Sequence, residues 1–154
     1  MIKTRLGLAA IALMSLCAAG AAHAQMSPKA LVQRLYGEPS LTMSGESERR
    51  YLADDLAQAM AADSHPGEVG AIDFDYRYGA QDVQIAGLNI LEIIDNDDAQ
   101  VVAVFKNFNR PHSVNWKLCR RPSGEWRIYD AWSNTGEEWD LRTMLRLPAQ
   151  HGRC

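Results

Sequence analysis

From Leu88 onward the chain divides into four β-type runs joined by short turns, and this constrains the fold more than any other feature. Ser113–Arg120 alternates, with Val114, Trp116 and Leu118 on one face and Ser113, Asn115, Lys117 and Cys119 on the other. Glu125–Ala131 alternates again, with Trp126 and Ile128 sharing a face. A period of two with one apolar side describes half-buried antiparallel strands. Leu88–Ile94 and the β-branched, aromatic run Gln100–Phe108 read as the two strands before them. Asp95-Asn96-Asp97-Asp98, Asn109-Arg110-Pro111 and Arg121-Pro122-Ser123-Gly124 are turn sequences. Connections this short predict a meander.

Helical signals flank the strands. Ser27-Pro28 is an N-cap followed by Pro at the first helical position; it opens a short helix over Lys29–Tyr36 that Gly37 and Pro39 stop. Leu41–Glu46 reads as a loop. Ser47–Ala62 reads as the clearest helix, because Tyr51, Leu52, Leu56, Ala59 and Met60 form an apolar stripe and His65-Pro66-Gly67 ends it. Residues 68–82 read as a structured loop. At the far end Thr135-Gly136-Glu137-Glu138 fits a capping box for a last helix carrying Leu141, Met144 and Leu145 and stopped by Pro148. The expected fold class is α+β: N-terminal helices packed on a curved antiparallel sheet of about four strands, then a C-terminal helix.

Residues 1–24 read as a cleaved signal peptide. Lys3 and Arg5 form the positive start, Leu6–Cys17 the apolar stretch, and Ala22-His23-Ala24 the cleavage pattern, so the mature chain is expected to begin at Gln25. Leu16 is bulky for lipoprotein processing at Cys17. Cleavage removes two positive charges from a net −3, leaving −5 on residues 25–154, which read as one domain. An acidic domain is a poor generic binder of nucleic acid, and no further apolar run is long enough for an integral membrane span. The expected location is periplasmic or secreted. There the two cysteines left, Cys119 and Cys154, are expected to form a disulfide, with two free thiols as the alternative.

Chemistry-bearing residues are sparse. Asp73, Asp75 and Asp82 beside Gln81 offer oxygen ligands, but no Gly or Glu stands where a calcium loop needs one, so turn hydrogen bonding is favoured and no metal is expected. Asp130 continues the face of Trp126 and Ile128, which aims a carboxylate at apolar surroundings and makes it a weak candidate acid–base group. Trp132 and Trp139 flank a polar loop and are candidates for stacking on a ligand, or for seating the last helix. His65, His112 and His151 have no metal-ligand spacing, and neither a G-x-S-x-G elbow nor a Gly-rich phosphate loop occurs. No cofactor is expected.

Several segments together resemble a known family. They are Tyr51–Leu56, Ile72-Asp73-Phe74-Asp75, Gly79-Ala80-Gln81-Asp82, Val102–Asn107, Gly124–Asp130 and Leu141–Leu145. Over residues 27–147 the chain resembles the small secreted bacterial proteins grouped as "domain of unknown function 3828". The resemblance implies the nuclear transport factor 2-like (cystatin-like) class, an α+β roll in which a bent sheet holds a helix. It implies no activity, since that class hosts enzymes and binding modules alike.

The favoured expectation is an exported, non-catalytic binding domain, with Asp75, Gln81, Asp82, Trp132 and Trp139 as binding residues. Its partner is a small molecule, an envelope component or a protein, and a homodimer stays open. The alternatives are a periplasmic immunity or inhibitor protein acting on a secreted toxin or hydrolase, and a small isomerase or dehydratase using Asp130.

Overall fold

The computed structural model describes residues 25–39, 48–63, 67–150 and 154. The expected leader, the 41–46 loop, His65-Pro66 and His151 lie outside the described residues. The chain is α+β. Helices α1 (Pro28–Gly37) and α2 (Asp54–Asp63) precede strands β1 (Ile85–Asp95), β2 (Asp98–Asn107), β3 (Arg110–Arg120), β4 (Trp126–Ser133) and β5 (Trp139–Asp140), and α3 (Leu141–Met144) follows. The strands form one open antiparallel sheet in sequence order.

Ser27 caps α1 as its sequence predicts, accepting the Ala30 N–H at 3.1 Å. Glu92 on β1 accepts the Lys29 N–H at 2.6 Å, so a carboxylate sits at the positive end of α1 and ties it to the sheet. Leu31, Val32 and Leu35 of α1 and Leu56 and Met60 of α2 join one core with Val101, Phe105, Val114, Trp116, Leu118 and Ile128. Trp116 is fully buried and meets Tyr36 and Tyr76 edge-on, at centroid distances of 5.9 and 6.1 Å.

Four expectations are corrected. The helix over Ser47–Ala62 is broken: Glu48–Arg50 is a 3-10 turn, and α2 starts only at Asp54. Between them Tyr51 O accepts from Ile128 N–H and Ala53 N–H donates to Ile128 O, so this stretch pairs with the free edge of β4. The β2–β3 turn is Phe108-Asn109, both at positive φ, so Arg110 and Pro111 belong to β3. A fifth strand exists, because Trp139 and Asp140 pair with Ser133 and Trp132. Thr135 caps no helix; its hydroxyl accepts the Ser113 N–H, and Asp140 caps α3 by accepting the Thr143 N–H at 2.7 Å.

Cys119 on β3 and Cys154 form a disulfide, with Cα atoms 5.5 Å apart. Arg142 anchors the same C-terminal stretch. Its buried guanidinium donates to Pro148 O at 2.7 Å, Tyr129 O at 3.0 Å and Asp55 Oδ2 at 2.8 Å.

Candidate functional site

A cleft of about 670 Å³ opens where the 73–81 loop meets the end of β4, the 134–138 turn, β5 and α3. The loop is held in place by a turn in which Gly79 N–H bonds to Asp75 O and Asp75 bridges to Ala80. Gly79 sits at φ +62, and a Cβ there would come 2.5 Å from Trp139 Nε1. Only glycine gives the loop both this backbone conformation and its close approach to the indole. Phe74 completes that wall, 5.3 Å from the Trp139 ring.

Of the five residues expected to bind, three line this cleft: Gln81, Trp132 and Trp139. Gln81 donates to Asp73 at 3.2 Å, and Asp73 is also in the wall. Trp132 is half-buried and carries the Lys117 ammonium 5.1 Å from its centroid. Trp139 is buried to 8% exposure and belongs to the core as well as the cleft. Asp75 and Asp82 are not brought to it. Asp75 holds the buried Arg77, accepting from Nη2 at 2.6 Å and from Nε. Asp82 is exposed beyond the cleft, and its carbonyl accepts from Asn107.

The cleft also takes Glu137, Glu138 and Asp140, which sequence reasoning had given to a helix cap or left unremarked. The signal was the compact Glu-Glu-Trp-Asp run, two carboxylates, a Trp and a third carboxylate in succession. With Asp73 these make the lining acidic, and among the described residues it contains no Lys or Arg.

Asp130 does not line the cleft. The pairs Lys117↔Asp130 and Leu118↔Ile128 leave Tyr129 as an extra residue on β4. Such a bulge inverts the alternation downstream. Ala131 therefore joins the core face with Trp126 and Ile128, and Asp130 turns to the other face with Lys117 and Trp132. Its Oδ1 accepts from Ala131 N–H at 2.9 Å and Arg142 N–H at 3.4 Å. Burial first, and then the neighbouring Asp140 carboxylate, push its pKa up to about 6.

A raised carboxyl pKa means that the folded state binds this proton more tightly than the unfolded chain does. Its contribution to stability is present below about pH 4 and is lost as pH rises through about 6. Asp130→Asn keeps an acceptor for both N–H groups and removes the charge. It is expected to be ~1–2 kcal/mol more stable than the parent above about pH 7 and equal to it near pH 4. Urea unfolding across that range measures this; a pH-independent difference would contradict the assignment.

No protein-family model, curated protein or solved structure matches the chain.

Proposed function

We propose that the chain is an exported, non-catalytic binding domain of the bacterial cell envelope, and that its ligand sits in the cleft beside Trp132. The convergence of Gln81, Trp132 and Trp139 on one hollow carries this reading. A concave site with an aromatic wall and a few polar groups is the usual form of a ligand pocket. Asp130 lies behind α3 with its Oδ1 bonded to two backbone N–H groups, which favours binding over acid–base catalysis. The disulfide favours an oxidising compartment, and among the described residues no helix is long and apolar enough to cross a membrane. The helices against an antiparallel meander suit a nuclear transport factor 2-like domain over residues 25–154, of the domain of unknown function 3828 kind.

Native mass spectrometry of the protein purified from the periplasm is expected to reveal a retained small-molecule mass, and Trp132→Ala is expected to lose it while keeping the circular dichroism of the parent. A bare protein in both cases would overturn the small-ligand reading and favour a protein partner, with a pull-down as the next step.

A further inference from the structure

We propose that β1 is a dimerisation edge, which pairs antiparallel with β1 of a second copy to make one continuous sheet. This surface is separate from the cleft and does not depend on what the cleft holds.

β1 has β2 on one side and no strand on the other. The far side of the sheet is closed, because Tyr51 and Ala53 take the edge of β4 at Ile128 and β5 pairs with the end of β4. In a two-residue hairpin the residues flanking the turn bond to each other, so Asp95, Ile93, Leu91 and Asn89 direct their backbone groups to β2. The N–H and C=O groups of Ile90, Glu92 and Ile94 therefore point outward, and among the described residues no hydrogen bond meets them. A two-fold axis at Leu91 sets Ile90 opposite Glu92 of a second copy and Ile94 opposite its Leu88. At that register the outward groups of one copy meet those of the other, as an isologous interface requires.

The side chains of this edge are apolar. β1 carries no Lys, Arg or Pro, the residues that commonly blunt an open strand. Leu91, Ile93 and Ile94 are instead more than half exposed, and Leu88 is two-fifths exposed. Phe108, also more than half exposed, is held at the start of the strand by its N–H bond to Gln84 O at 3.1 Å. Covering these side chains and the paired backbone on both copies takes about 1,000 Å² from water, the size at which an interface becomes specific while staying reversible.

Charge favours a second copy over an unrelated strand. The exposed Asp97 stands in the turn that closes β1, and the exposed Lys106 and Arg110 stand beside its start, Lys106 opposite Ala86 and Arg110 opposite Asn107. None of these three side chains has a hydrogen-bond or ion-pair partner among the described residues. Antiparallel pairing brings the acidic end of each copy to the basic end of the other, twice over by symmetry.

Sedimentation equilibrium of the purified protein is expected to give a reversible monomer–dimer equilibrium of micromolar order, tighter at low salt. Leu91→Lys sets two ammonium groups together at the axis and is expected to weaken the dimer about a hundredfold, with the thermal unfolding of the monomer unchanged. Ile93→Lys places the same charge at the neighbouring pair and stands in if the first variant does not fold. Amide exchange followed by NMR separates edge pairing from packing through a sheet face. The N–H groups of Ile90, Glu92 and Ile94 are expected to be protected in the dimer and to exchange freely on dilution or in Leu91→Lys. A monomer at every concentration would overturn the proposal. So would a dimer whose three edge N–H groups exchange freely, or one that both lysine variants leave intact.

Discussion

Cys154→Ser is expected to lower the unfolding free energy by about 3–4 kcal/mol while leaving the native fluorescence almost unchanged. The bonded cysteines are 35 residues apart, and the loop they close holds β4, β5 and α3. Tying those ends together removes conformations mainly from the unfolded chain, which is where the stabilisation arises. The folded strap has its own anchor in Arg142, whose bonds to Pro148 O, Tyr129 O and Asp55 do not involve sulfur. Cys119 is wholly buried, so Cys154 is the partner to replace; the remaining thiol stays in the core as a small apolar group. Urea unfolding of the parent, the parent under reductant and Cys154→Ser measures the effect, and the last two are expected to coincide. Equal stability of all three would mean that the bond contributes nothing.

The sequence made the meander legible because a period of two is a local signal. Val114, Trp116 and Leu118 each face the core as their alternation predicts. What escaped reading was set by partners distant in the chain. Of the stripe, Tyr51, Leu52, Leu56 and Met60 are buried and Ala59 is half-buried, yet the helix breaks because Ile128 takes the backbone of Tyr51 and Ala53. No pattern within residues 47–62 records that capture. β5 is two residues long and exists only through its pairing with β4. The bulge at Tyr129 matters most for placing Asp130, since one unpaired residue moved it from the core face to the other side of the sheet. Asp75 escaped for a nearer reason: Arg77, two residues on, is buried and claims its carboxylate. Trp132 and Gln81 do line the cleft; the sequence had marked the first as one of two tryptophans flanking a polar loop and the second as part of the Asp73–Asp82 group. Glu137 and Glu138 were hidden by a capping pattern that their segment satisfies in sequence and not in space.

Trp139 and Trp132 were expected to act alike at a rim, and the structure separates them. Trp139→Ala is expected to cost about 3–5 kcal/mol of stability, whereas Trp132→Ala is expected to cost ~1 kcal/mol. The Trp139 ring is buried against Phe74 and sits opposite Ser133 in the β4–β5 pair, so truncation opens a cavity between the 73–81 loop and the sheet. Trp132 is half-buried, and its loss mainly removes the stacking of Lys117. Trp139→Phe divides the larger effect. Phe keeps most of the packing and deletes an N–H that has no partner, so it is expected to cost ~1–2 kcal/mol, well short of the alanine variant. Denaturant unfolding of the three variants provides the comparison. A phenylalanine variant as damaged as the alanine one would mean that the indole N–H is engaged in the folded protein, while an alanine variant as mild as Trp132→Ala would remove Trp139 from the core.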